Sequence, residues 1–209
     1  MIRSYIHRCQ KDGVKIVMNC EVTPELIKEE KPDSVIIATG SKTLILPIEG
    51  IDNPAIIHGS DLLDGKRAAG KKVLVVGGGM VGCETAAFLG EQEHDVTVIE
   101  FRDTVGADVI HEHRVYLMKD FEDYGIKEIT GAKVCKFYED GVEYETADGV
   151  RHESRGYDSV ILSMGFRNYN PLEEKIKDLV PETHVIGDAI RARRALDATK
   201  EAYEVASRI

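Results

Sequence analysis

One stretch constrains this chain more than any other: three glycines set where a strand pattern gives way to a helix pattern. Lys72–Val76 (KVLVV) is a short aliphatic run of the kind buried on both faces of a parallel sheet. It leads into Gly77-Gly78-Gly79-Met80-Val81-Gly82 and then an Ala-containing helical segment reaching Gln92. With 19 glycines in the chain, the spacing G-x-G-x-x-G by itself arises often by chance. The context gives the spacing meaning, because each glycine of G-x-G-x-x-G then has a task. Gly77 permits the tight turn, Gly79 lets a pyrophosphate approach the backbone, and Gly82 lets helix and strand pack closely. The positive end of the new helix faces the anion. A second apolar strand, Asp95–Glu100, ends in an acid close to the roughly 20-residue spacing expected of the group that accepts from the adenine ribose hydroxyls. These features predict a dinucleotide-binding βαβ unit over 72–100, lined by Gly77, Gly78, Gly79, Met80, Val81, Gly82 and Glu100.

The acid also bears on cofactor choice. A 2′-phosphate beside Glu100 would meet a like charge, at a cost of roughly a few kcal/mol for an effective dielectric near ~20. That favours NADH over NADPH, although Arg102 offsets part of the repulsion and leaves NADPH as the weaker alternative. The net charge of −10 argues against nucleic acid or an anionic membrane as partner, since both reward basic surfaces. A dinucleotide is compatible with it, because helix-start amides supply local positive potential. At 209 residues, 43% of them hydrophobic, the chain suits one large domain or two small ones.

Cys9, Cys20, Cys83 and Cys135 are widely spaced, without a C-x-x-C pair, and read as reduced thiols in a cytoplasmic protein. Cys83 is expected to pack. The opening MIRSYIHRCQ has no apolar signal region, and no run approaches the ~18 apolar residues of a membrane span.

Elsewhere, residues 1–12 read as a helix stopped by Gly13, followed by a short strand Lys15–Met18. Thr23-Pro24-Glu25 starts a second helix, which ends before Pro32. Asp33–Ala38 reads as a buried strand leading to Thr39-Gly40, and 41–71, rich in Gly and Pro, as irregular connection. A helix is expected over Ile110–Asp123. An antiparallel meander follows over Lys127–Glu153, with turns at Asp140-Gly141 and Asp148-Gly149. Tyr157–Met164 and His184–Ile186 read as strands and Ala195–Ile209 as a closing helix.

The pattern G-G-G-x-x-G-x-E-x-A, from Gly77 to Ala86, resembles the NAD(P)H domain of two-dinucleotide-binding flavoprotein reductases. Asp33–Gly40 (DSVIIATG) is similar to their outgoing crossover, Asp158–Arg167 (DSVILSMGFR) to the return crossover, and Val185–Ala189 (VIGDA) to the segment whose Asp contacts FAD. With four ordered motifs, the chain resembles the C-terminal FAD/NAD(P)H region of old yellow enzyme-type NADH:flavin oxidoreductases, the group of 2,4-dienoyl-CoA reductase, enoate reductase and trimethylamine dehydrogenase.

The resemblance implies an α/β fold. A Rossmann-like NAD(P)-binding domain with a β-meander, over 43–165, is flanked by an incomplete FAD-type half formed by 1–42 and 166–209. It implies hydride passing from NADH to the N5 of FAD, a step in which the cofactors carry the electrons and no side chain serves as catalytic acid or base. The loop that seats the FAD pyrophosphate, the barrel with its FMN, and any iron–sulfur ligands are expected ahead of residue 1, or on a partner chain. FAD is therefore expected in the complete enzyme and not on this chain alone. A homo-oligomer is left open.

By the same resemblance Glu84 lies near the nicotinamide, Gly165, Phe166 and Arg167 line the crossover, and Thr39, Gly40, Gly187 and Asp188 face FAD. The competing readings are a dipole-stabilising acid for Glu84, an ordinary strand exit for 165–167, and a cap of the final helix for Asp188. His111-Glu112-His113 reads as solvated surface, since it lacks a third ligand at metal spacing. The alternative for the whole chain is an NAD(H)-binding module without turnover. A flavin-free short-chain dehydrogenase is disfavoured, because no tyrosine has Lys four residues on.

Overall fold

In the computed structural model, which describes residues 2–209, the chain opens with helix α1 (Ile2–Lys11). Met1, part of the helix expected over 1–12, lies outside the described residues. Gly13, at φ +77°, ends the helix as Val14 N–H turns back to Cys9 O. Lys15–Met18 does not form the expected strand. The segment is irregular, with Ile16, Val17 and Met18 exposed, because no neighbouring strand offers it a ladder among the described residues. Helix α2 (Pro24–Glu30) starts as its sequence predicts: Thr23 Oγ1 accepts from Leu26 N–H at 3.3 Å and Pro24 takes the first turn. Strand β1 (Ser34–Ile37) follows.

The middle of the chain, Lys42–Arg167, is one compact unit. Its elements, in order, are β2 (Ser41–Thr43), β3 (Ile57–His58), α3 (Gly59–Leu63), β4 (Lys72–Val76), α4 (Met80–Glu91), β5 (Asp95–Ile99), α5 (His111–Asp123), β6 (Lys127–Ile129), β7 (Lys133–Tyr138), β8 (Gly141–Glu145), β9 (Arg151–Ser154), β10 (Ser159–Leu162) and β11 (Phe166–Asn168). Five strands form a parallel sheet in the order β3-β10-β4-β5-β6. The period of two along β4 assigns its residues to two cores. Val73 and Val75 pack with Cys83, Ala86, Leu89, Leu117 and Phe121 on the helix side. Leu74 and Val76 pack with Phe137, Val142, Tyr157 and Val160 on the side of the β7-β8-β9 meander. Burial on both faces is why KVLVV does not alternate with polar residues.

Two expectations in this unit are corrected. The connection 41–71 contains β3, an edge strand of the parallel sheet, together with α3. Both are too short for periodicity to reveal. Lys127–Ile129 belongs to the parallel sheet beside β5, not to the meander, which spans only 133–154. The β7–β8 turn falls on Glu139-Asp140, and Gly141 is the first residue of β8, at a place where a Cβ would lie 2.0 Å from Ser154 O.

The second unit, Met1–Ser41 with Asn168–Ile209, is completed by α6 (Glu173–Ile176), β12 (Glu182–Val185), a 3-10 turn at Gly187–Ala189 and α7 (Ala195–Ala206). Strands β1 and β12 pair in parallel, Ser34 opposite Glu182 through Ile37 opposite Val185. Ile27, Ile37, Leu172, Ile176 and Val180 form its core. No helix among the described residues is long and apolar enough to cross a membrane.

Candidate dinucleotide site

Steric necessity is sharpest at Gly77 and Gly82, where a Cβ would strike backbone. Gly77 has φ +106°, and a Cβ there would lie 2.4 Å from Ser163 O, at the end of β10. Its N–H donates to Ile99 O at 2.9 Å, tying the turn to β5. At Gly82 a Cβ would stand 1.8 Å from Gly77 O, so α4 reaches its place over the turn only with hydrogen at this position. Gly79 differs: its φ of −74° suits any residue, and its open side faces the carboxylate of Asp108.

Gly79 is also the N-cap of α4, whose first helical bond runs from Cys83 N–H to Gly79 O. Helix geometry therefore leaves the amides of Met80, Val81 and Gly82 without intrahelical acceptors. Donors at this point are what a pyrophosphate requires.

Glu100 reaches back to the loop. Its Oε2 accepts from Gly78 N–H at 2.6 Å and its Oε1 from Arg102 N–H at 2.9 Å. A carboxylate has about four acceptor directions, so two remain for neighbouring hydroxyls. A Cβ on Gly78 would lie 2.9 Å from both Glu100 Cβ and Val105 Cγ1, so this glycine too is needed for close approach.

The segment after β5 closes over the loop. Gly106 N–H donates to Gly78 O at 2.7 Å, Val105 is buried, and Asp108 Oδ1 accepts from Met80 N–H at 2.9 Å. Asp108 escaped the sequence reading because nothing in Gly106-Ala107-Asp108 marks an acid that folds back 28 residues. Ser163 was missed as well. Its buried Oγ and the buried Nδ1 of His58 have no hydrogen-bond partner among the described residues.

The remaining candidates are placed as follows. Glu84 is half exposed on α4, with its Oε1 3.3 Å from His113 Nε2 of α5. Arg102, His111 and Glu112 are exposed. Gly165 has φ +96° and its carbonyl accepts from Leu44 N–H at 2.9 Å; Phe166 and Arg167 are exposed on β11. Cys83 is fully buried, its Sγ donating to Gly78 O at 3.3 Å, and burial pushes its thiol up to about 12.

In the other unit, Thr39 Oγ1 donates to Tyr169 O, and Gly40 O accepts from Tyr169 N–H at 3.0 Å. Asp188 accepts from Ser41 Oγ at 3.3 Å and Arg193 N–H at 3.1 Å. Gly187 N–H donates to Glu201 Oε2 at 2.7 Å, and the Arg193 guanidinium beside Glu201 holds that carboxyl below its usual range. Asp188 does not cap the final helix. Its Oδ1 takes the Arg193 amide, one residue short of the N-cap, while Asp197, at the third helical position, accepts from the N-cap amide of Arg194 at 3.2 Å.

A parallel sheet with a glycine-lined turn, a helix start rich in amide donors and an acid at the end of the next strand defines a Rossmann-like dinucleotide-binding half. The family model described as pyridine nucleotide-disulphide oxidoreductase matches residues 2–184, and the chain belongs to this family. It is 31% identical over 200 residues to a cinnamate reductase of Clostridium sporogenes, a match covering 94% of this chain and 30% of that protein. It is 32% identical to an NADH oxidase of Thermoanaerobacter brockii, covering 94% of this chain and 31% of the relative. The structure of a 2-naphthoyl-CoA reductase complex superposes on 100% of the chain and 32% of its own, with a TM-score of 0.89 and 32% identity. These matches agree with the old yellow enzyme-type resemblance, and this chain spans about 30% of the length of such relatives.

Proposed function

We propose that residues 72–108 hold NADH and that the chain is the NADH-binding part of a flavin-dependent oxidoreductase. The observation that carries this reading is the cradle itself. Gly77 and Gly82 admit no Cβ, amides crowd the start of α4, and Glu100 is anchored to Gly78 N–H beside them. Each interaction serves a separate part of the cofactor: helix-start amides the pyrophosphate, the spare lone pairs of Glu100 the adenine ribose. Glu84 and the Gly165-Phe166 crossover are the residues assigned to the nicotinamide end.

Thr39, Gly40, Gly187 and Asp188 are the residues that would face FAD, whose isoalloxazine supplies the hydride acceptor in this chemistry. The donor set fits in part. Asp188 has acceptor directions to spare, while the Gly187 amide is already taken by Glu201. That engaged amide favours a second reading, in which this chain by itself binds NAD(H) without turnover and gains flavin only with a preceding flavin/Fe–S region or a partner chain. A cytoplasmic setting is in keeping with the unpaired cysteines.

Calorimetric titration with NADH and NADPH tests the site. Binding of NADH in the micromolar range, tighter than NADPH, is expected. Heat with neither nucleotide would remove the proposal. Flavin absorbance bands in the purified chain would count against the module without turnover.

A further inference from the structure

One of the donors expected to receive the pyrophosphate, Met80 N–H, is already engaged by an anion that belongs to the chain. Asp108 Oδ1 accepts from Met80 N–H at 2.9 Å, and its Oδ2 lies 3.2 Å from where a Cβ on Gly79 would be. Gly79 is the glycine whose backbone conformation does not require glycine. What the missing side chain leaves free is room, and Asp108 stands in that room.

The backbone that presents Asp108 is held in place. Val105 and Val109 are buried on either side of it, and Gly106 N–H is bound to Gly78 O. Arg114 donates from Nη2 to Thr104 Oγ1 at 3.0 Å and to Val105 O at 3.1 Å. The Asp108 side chain itself is exposed, so a change of its own rotamer withdraws the carboxylate without disturbing those anchors.

The geometry points to Asp108 as an internal competitor of the cofactor: its carboxylate fills the anion seat at the start of α4 and sets the affinity for pyrophosphate-bearing nucleotides. This rests on the reading of 72–108 as the NADH site. A carboxylate and a pyrophosphate cannot share this helix start, because like charges at this separation repel strongly and both call on Met80 N–H. Without ligand, Asp108 satisfies an orphan amide and the positive end of the helix. With ligand, it must leave. The cofactor therefore binds more weakly than the cradle alone would allow, and exchanges more readily.

The test compares the full chain with Asp108→Asn and Asp108→Ala. Asn keeps an oxygen acceptor for Met80 N–H and removes only the charge, whereas Ala removes both. Calorimetry with NADH and ADP-ribose reads the anion seat, and ligand-observed NMR with adenosine reads the ribose end without a phosphate. Both variants are expected to bind NADH and ADP-ribose roughly 3- to 10-fold more tightly, in proportion to a carboxylate's hold on a helix N-terminus, with adenosine unchanged. Equal or weaker NADH binding by Asp108→Asn overturns the competitor role and leaves the site standing. A gain that extends equally to adenosine also overturns it, since that would report a looser pocket. NADH binding by none of the three proteins overturns the site and the competitor together.

Discussion

At the scale of single residues, a few atoms control the cradle. Glu100 serves twice, pinning Gly78 and keeping lone pairs for ribose hydroxyls. Glu100→Ala is expected to cost about 1.5–3 kcal/mol of NADH binding, roughly 10- to 100-fold in Kd by calorimetry. The same variant should bind NADPH no worse than the native protein does, because it removes a like charge from the 2′-phosphate. A larger loss for NADPH than for NADH would contradict the role given to this acid. Gly82→Ala brings a methyl group to within 1.8 Å of Gly77 O, a clash with backbone that cannot rotate away. Loss of NADH binding and about 2–4 kcal/mol of stability in urea unfolding are expected. A variant as stable as the native chain would mean that α4 can shift off the turn.

Among the elements, β4 and α4 carry the unit. Leu74 is fully buried between β4 and the meander, and Leu74→Ala should destabilise by about 2–5 kcal/mol in denaturant titrations. Cys83, under the glycine loop, gives the helix a dependence on pH. Its thiol ordinarily titrates near 9.0 and is pushed up to about 12 by burial, so the folded chain retains a proton that the unfolded chain releases. The associated stability is complete below pH 9 and is lost as pH rises from there towards 12. Comparing urea midpoints of the native protein and Cys83→Ala across that range should show the steeper decline in the native protein. Parallel curves would place the thiol elsewhere than in the core. Thiol reagents at neutral pH should label the exposed Cys20 and spare Cys83.

For the whole molecule, the division into two units gives ligand effects an address. Hydrogen exchange with and without NADH should show protection gathered at 77–82 and 100–108, within Lys42–Arg167, with Met1–Ser41 and Asn168–Ile209 little changed. Protection centred on Gly187-Asp188 instead would relocate the nucleotide. Residues 15–18, which have no ladder among the described residues, should exchange fast in both states.

The local code sufficed for the βαβ unit. An aliphatic run, glycines where a Cβ would collide and an acid ending the next strand are consequences of sterics acting over a few residues, and 72–100 is legible for that reason. The helix starts at Thr23 and Gly79 and the Asp148-Gly149 turn are legible on the same ground. Tertiary structure decided the rest. Two residues of β3 and three of β6 are strands only because a parallel neighbour pairs with them, whereas Lys15–Met18, with a better strand pattern, finds no neighbour among the described residues and stays irregular. Asp108 meets Met80 N–H, and Ser163 backs Gly77, through contacts far apart along the chain, and no spacing rule encodes those. Periodicity reports how a segment suits its own backbone; which distant carboxylate comes to rest on a helix start is settled only when the sheet has brought the ends of its strands together.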